Sequence, residues 1–152
     1  MSDVDEISDE EVLARFPSVW VDHDNKFHYK GLLQKKLLIN KCQNCGYWIY
    51  PHRPLCPKCW SEDLVPTEVS GKGTIYLYTI LHQGRAIPGV DYAKSPHPVI
   101  AVELPEREGL RYLSTIIDCP LDEIRVGMPV EMVWIDREGV PAVVFRPIKE
   151  KS

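Results

Sequence analysis

Cys42-Gln43-Asn44-Cys45 and Cys56-Pro57-Lys58-Cys59 set four thiols as two C-x-x-C pairs with ten residues between them. Two thiolates three positions apart on a tight turn can grip one metal ion, and a short hairpin can bring the second pair round to complete a tetrahedron. Zinc suits an all-thiolate set because it is borderline soft, redox-silent and at ease with four-coordination. The arrangement predicts a zinc ribbon, although the gap is shorter than the usual ribbon spacing. Two redox dithiols or two disulfides are the competing readings. A thioredoxin-like dithiol needs a βαβ setting, and nothing of that kind flanks either pair. Four protein ligands leave no position open for water or substrate, so the metal is expected to be structural. Ribbon-sized segments draw roughly 10–16 kcal/mol of apparent free energy from zinc at neutral pH, and that energy folds them. Such a site explains how the stretch folds, not what the protein does.

Other residues able to do chemistry are scattered. His82, Asp91, His97 and Asp118 are the candidates for acid–base work, which needs groups held within hydrogen-bond reach of each other. There is no G-x-S-x-G elbow, no H-E-x-x-H pair and no dinucleotide fingerprint. Gly71-Lys72-Gly73-Thr74 lacks the four-residue spacer of a phosphate loop and precedes a strand, so it reads as a turn or bulge. Intrinsic catalysis is not expected. Cys119 reads as an ordinary packed or half-exposed thiol.

The elements that must position these residues follow from patterning. Ser8-Asp9-Glu10-Glu11 reads as a capping box, with Val12, Leu13 and Phe16 as the apolar stripe of a first helix that Pro17 ends. The linker Ser18 to Asp24 carries Val19, Trp20 and Val21, which should dock on this fold or on a partner. A second helix is expected from about Lys26 to Lys36, and Leu37-Leu38-Ile39 as a strand feeding the first cysteine pair. Lys26, Lys30, Lys35, Lys36 and Lys41 read as a solvated charge run. Gly46 after Cys45 permits a left-handed backbone, whereas Trp60 stands at the matching place after Cys59, where glycine would be easier.

Beyond Gly71 the pattern turns to short strands: Gly73 to Gly84, Pro98 to Leu104, Leu110 to Ile117, Met128 to Ile135 and Val140 to Phe145. In the first, Ile75, Leu77 and Leu81 are expected on one face and Tyr76, Tyr78 and Ile80 on the other. Pro120 to Ile124 reads as a helical turn before the fourth strand. Five strands with that small helix are the signature of an OB-type barrel. The fold class is therefore mainly β: N-terminal helices, a zinc ribbon, then a five-stranded OB-fold barrel. The expected divisions are a helical segment 1–36, the ribbon 37–68 and the OB-fold domain 69–152. The loop from Arg85 to His97 is long enough to be functional.

The chain has 152 residues, 44% of them hydrophobic, and carries 22 acidic against 18 basic side chains. That is a globular composition, with no apolar run near the ~20 residues a membrane-spanning helix needs. The acidic start, Met1-Ser2-Asp3-Val4-Asp5-Glu6, lacks the layout of a secretory signal, so a cytoplasmic location is expected, where metal-bound thiols are at home. Zinc ribbons and OB barrels also occur in single-stranded nucleic-acid binders, and Tyr76 with Tyr78 could form a stacking platform. The acidic balance argues against that reading.

The order Tyr29-x-Gly31-Leu32, C-x-x-C-G, an aromatic and proline hairpin, C-P-x-C, Gly71-Lys72-Gly73-Thr74-Ile75-Tyr76 and Val126-Gly127-Met128-Pro129-Val130 resembles a known family over about Lys26 to Pro147. It is the rubredoxin-like zinc-ribbon plus OB-fold family associated with acyl-CoA enzymes, long catalogued as a domain of unknown function. Trp60 in place of the usual glycine departs from its pattern. The resemblance implies a non-catalytic accessory subunit, with structural zinc on Cys42, Cys45, Cys56 and Cys59. It would dock in a hetero-oligomer on a thiolase-fold enzyme: a thiolase, an acyltransferase or a steroid side-chain aldolase. It would support assembly or CoA-substrate binding, with a CoA thioester at the partner interface. No contact motif for CoA carries over; Arg85, Lys94 and His97 are candidates for its phosphates from charge and loop position alone.

Overall fold

The computed structural model describes residues 6–87 and 90–149, so Pro88 and Gly89 of the long loop and most of the acidic N-terminal stretch lie outside the described residues. It divides into two compact units, one running to Val69 and the other starting at Ser70.

The first unit opens with helix α1 (Asp9–Arg15), where Ser8 Oγ accepts from the Glu11 amide at 3.1 Å as the capping box requires. The Glu11 carboxylate turns instead toward Arg15, 3.9 Å away. Helix α2 (Lys26–Leu33) stops short of the expected Lys36. The Gln34 and Lys36 amides both return to the Gly31 carbonyl and Lys35 adopts φ 57°, which terminates the helix. The lysine run is not simply a solvated face. Lys30 is buried and its Nζ lies 2.8 Å from Asp9 Oδ1, with Lys26 Nζ 3.5 Å from the same carboxylate, so these two lysines of the run tie the two helices together. The hydrogen bond from Lys30 holds the Asp9 carboxyl below its ordinary range.

Helix α2 packs closely on the strand that follows. A Cβ at Gly31 would lie 2.7 Å from the Lys36 carbonyl and 2.9 Å from the Leu38 side chain, which is why the Tyr29-x-Gly31 pattern needs glycine. Beside it, His28 is buried with its ring 5.1 Å from those of Tyr29 and His52 and 6.4 Å from that of Tyr50. Phe16 closes the group against Tyr29 at 5.0 Å. The ribbon itself is a three-stranded antiparallel sheet in the order β2-β1-β3, built from β1 (Leu38–Cys42), β2 (Trp48–Ile49) and β3 (Leu64–Glu68). Strand β3 escaped sequence reading because Pro66 sits inside it. The proline is tolerated because β3 is an edge strand.

The second unit is a five-stranded antiparallel sheet in the order β6-β5-β4-β7-β8. Its strands are β4 (Lys72–Leu81), β5 (His97–Glu103), β6 (Arg111–Ser114), β7 (Pro129–Arg137) and β8 (Val140–Pro147), with a 3-10 turn at Leu121–Glu123 before the fourth. Ile75, Ile100, Val102, Leu104, Leu110, Val130, Val144 and Phe145 form its buried core. The sheet curls into a half-barrel of OB type. Beyond the end of β6, Ile116 makes a parallel bridge to Phe145, with the Phe145 amide donating to Thr115 at 3.0 Å and the Ile117 amide to Phe145 at 2.8 Å.

The expected alternation along β4 fails after Ile75. Ile75 pairs with Val102 but Leu77 with Ala101, so Tyr76 is an extra residue, a β-bulge. Ile75 is buried while Tyr76, Leu77 and Tyr78 are all exposed, which places Leu77 on the outside rather than with Ile75. At the bulge Ile75 bonds Gly127 and Met128 through its carbonyl and amide, which gives the Gly127-Met128-Pro129 pattern its structural role. Among the described residues no helix is long and apolar enough to cross a membrane.

Burial holds the His28 imidazole down at about 4, with His52 adding to the effect and hydrogen bonding to the Leu38 backbone opposing it. His52 is itself held low by burial, against the opposing charges of Asp22 and Asp24. An unfolded histidine takes up its proton near pH 6.5, so between about 6.5 and 4 the unfolded chain binds the extra proton. Stability should fall as pH drops through that window and level off below it. Urea denaturation at successive pH values should show His28→Phe removing about 3 kcal/mol of this loss. Parallel pH profiles for the two proteins would exclude His28 as the source; the subtraction cancels protonation of the cysteines.

Candidate metal centre

Strand β1 delivers Cys42 at its end, and two matching turns hold the cysteine pairs. In the first, the Gly46 amide donates to the Cys42 carbonyl at 2.9 Å and the Cys42 amide to Tyr47 at 2.8 Å. In the second, the Trp60 amide donates to Cys56 at 2.8 Å and the Cys56 amide to Ser61 at 3.0 Å. The Gln43 amide ties the two together by donating to the Asp63 carbonyl at 2.8 Å. Ile49, Tyr47 and Leu64 pack around the cysteines.

All four sulfurs lie within 4.8 Å of one another. Cys42 Sγ is 3.5 Å from Cys59 Sγ, and Cys45 Sγ is 3.6 Å from Cys56 Sγ. Four sulfurs about 2.3 Å from a central zinc would be separated by about 3.8 Å, whereas a disulfide needs about 2.05 Å. The close pairs also run between the two turns and not within either C-x-x-C, which is the pattern of one shared ion. Asn44 Nδ2 donates to Cys59 Sγ at 3.4 Å, and this bond, with the Ser61 backbone, holds the Cys59 thiol down at about 6. At Cys45 the Tyr47 amide favours the thiolate, but burial and the three neighbouring sulfurs outweigh it and push the thiol up to about 12. Four thiolates this close repel one another, and a dication removes that repulsion. The donor set fits a structural zinc.

The turns differ at one place. Gly46 has φ 76° with open space where a Cβ would stand; Trp60 has φ 67° and its side chain is 77% exposed. A left-handed backbone costs a residue bearing a Cβ roughly 1–2 kcal/mol.

The acid–base candidates are not assembled. Among the described residues none of His82, Asp91, His97 and Asp118 is hydrogen-bonded or ion-paired to another. Asp91 instead accepts the Ala93 amide at 3.0 Å and lies 3.9 Å from Lys94, while Asp118 borders a separate cavity beside Arg146. The three phosphate candidates part company too. The Arg85 carbonyl accepts the Tyr92 hydroxyl at 3.1 Å, Lys94 is exposed, and His97 lines a cavity whose walls include neither of them. Arg111 lies 3.5 Å over the Tyr76 ring, so that face of the expected stacking platform is occupied. Two residues that sequence reading missed belong to these sites: Asn44, which no motif distinguishes, and Arg137, hidden in a hairpin beside the His97 cavity.

Comparison with known proteins matches residues 30–65 to "ChsH2, rubredoxin-like zinc ribbon domain" and residues 66–135 to "ChsH2, C-terminal OB-fold domain". A DUF35 domain-containing scaffold protein of Methanocaldococcus jannaschii is 33% identical over 131 residues, 80% of this chain and 89% of its own length. A probable enoyl-CoA hydratase alpha subunit of Thermomonospora curvata is 32% identical over 86% of this chain, which spans 40% of that longer relative. The benzoylsuccinyl-CoA thiolase subunit BbsA of Thauera aromatica is 28% identical over 70% of this chain and 71% of its own. Among solved structures, a chain of the Ltp2-ChsH2(DUF35) aldolase superposes with a TM-score of 0.75 at 32% identity, over 85% of this chain and 98% of that one.

Elemental analysis should find one zinc per chain. On chelation, hydrogen exchange should speed up at β1–β3 amides while β4–β8, which have their own core, stay protected; uniform loss in both would contradict a ribbon-only role. Trp60→Gly should raise the denaturation midpoint of the zinc-loaded protein, by about 1 kcal/mol of stability. A lowered midpoint would mean the indole contributes packing that its exposure does not reveal.

Proposed function

We propose that this chain, which belongs to the ChsH2-type (DUF35) family of a zinc ribbon followed by an OB-fold, is a non-catalytic subunit that docks on a thiolase-fold acyl-CoA enzyme. The observation that carries this is the match over nearly the whole length of the DUF35 chain of the Ltp2-ChsH2 aldolase, a protein whose name joins it to a second component. BbsA, named a subunit of a CoA thiolase, and the DUF35 scaffold proteins point the same way. The hydratase name of the Thermomonospora relative belongs to a protein much longer than this one, of which the present chain spans 40%.

The surface supports docking on physical grounds. In the first unit Trp60 and Trp20 are 77% and 83% exposed, and Leu13 is exposed as well. In the second, cross-strand pairing sets Leu77, Ala101 and Leu113 in one row across β4, β5 and β6, with both leucines exposed. Apolar surface of this kind gains free energy when a partner covers it. Trp60 is the sharpest instance, because its backbone strain brings no visible internal return. The zinc on Cys42, Cys45, Cys56 and Cys59 would keep the ribbon rigid enough to present it. Support of assembly or of CoA-substrate binding is then the chain's contribution, with acyl transfer, thiolysis or aldol cleavage done by the partner.

Affinity purification of the tagged chain from its native host should bring down a thiolase-fold protein in fixed ratio, and Trp60→Gly should weaken that association at least tenfold. The chain alone should turn over no acyl-CoA thioester. A stable monomer with no thiolase-fold companion, or thioester turnover by the isolated chain, would overturn the proposal.

A further inference from the structure

We propose that a cavity of the OB-fold unit binds an amphipathic monoanion, an apolar body ending in a carboxylate that pairs with Arg137. The cavity has a volume of about 440 Å³, within the range of small-molecule sites. Pro98 in β5, Ile116 and Ile117 beyond the end of β6, and Ile135 in β7 give it apolar walls. Several of its polar groups are already committed. Thr115 Oγ1 donates to the Pro98 carbonyl at 2.6 Å, and Asp136 Oδ1 accepts the Gly139 amide at 3.1 Å within the β7–β8 turn.

Arg137 is different. It is half-buried in the wall, and among the described residues its guanidinium has neither an ion pair nor a hydrogen bond. The contrast is with Arg146, which lines another cavity but already donates to Glu131 Oε1 at 3.0 Å, and with Arg111, 3.5 Å from Glu103. A guanidinium carries five N–H donors in a planar fork that fits a carboxylate. Leaving them partly desolvated and unmatched beside apolar walls costs free energy that an incoming acceptor recovers. His97 also lines the cavity, and burial together with the charge of Arg137 holds its imidazole below the usual range. Near neutral pH Arg137 is therefore the one positive charge in the lining. Asp136 and Glu138 also line the cavity and oppose any anion, a phosphate monoester carrying about −1.5 to −2 more than a carboxylate, so a carboxylate binds only where the Arg137 fork outweighs them. The site rests on the cavity alone and stands apart from docking on a thiolase-fold enzyme.

The test is an NMR titration of the ¹⁵N-labelled, zinc-loaded full chain with octanoate, octanol and octyl phosphate. Octanoate should shift amides at 97, 115–117 and 135–138, and bind about tenfold or more tightly than octanol, the margin expected of a hydrogen-bonded charge. Arg137→Gln should bring octanoate down to the octanol level, Arg137→Lys should fall between, and spectra away from the cavity should stay unchanged. Equal binding of octanoate and octanol to the unmutated chain would overturn the proposal, whatever the variants do. So would octanoate shifts confined to other residues, unaltered affinity in Arg137→Gln, or tighter binding of octyl phosphate than octanoate.

Discussion

Mutual repulsion among four sulfurs governs the N-terminal unit. The backbone brings Cys42, Cys45, Cys56 and Cys59 within 4.8 Å, a spacing that thiolates tolerate only around a cation. Each supporting detail serves that end. The paired amide turns hold the two C-x-x-C segments, Gln43 binds Asp63 across them, and Asn44 donates to Cys59. Strand β2 has only two residues, so the sheet has little pairing of its own beyond β1 with β3. Its order comes from the metal site at one end and from α2 at the other.

That second attachment is made of unusual material for a packing contact. A buried histidine, a second histidine and two tyrosines stand where aliphatic side chains would ordinarily be, and Lys30 reaches Asp9 from a largely buried position. Such a cluster is directional: each ring has polar atoms that must find partners, so α2 can sit in fewer ways than a greasy helix would. The OB-fold unit works by the opposite means, with an aliphatic and aromatic core and no metal-binding group of side chains among the described residues.

Much of this was legible in the residues. The cysteine spacing, the capping serine at Ser8 and the five-strand pattern all have short-range physical causes, and the structure carries the ribbon, the α1 start and the curled OB-type sheet that they imply. What stayed hidden depends on contacts across sequence. Strand β3 is invisible because Pro66 argues against a strand until its edge position is known. Lys30 reads as solvated until Asp9, on another helix, is brought to it. The cavity beside His97 could not be read either, because Ile116, Ile135 and Arg137 meet only when the sheet curls. Trp60 was the reverse case: its mismatch with Gly46 was plain in the sequence, and the left-handed φ of 67° gives it a physical meaning.

The bulge at Tyr76 has a further consequence. One surplus residue in β4 shifts its register by one, so Leu77 lines up with Ala101 and Leu113, both leucines exposed and the small Ala101 buried between them, while Ile75 remains in the core. An apolar exterior row thus arises without a single change in the hydrophobic character of the strand. In evolutionary terms, gaining or losing one codon there would create or erase that row at a stroke, a shorter route to a new contact surface than successive substitutions.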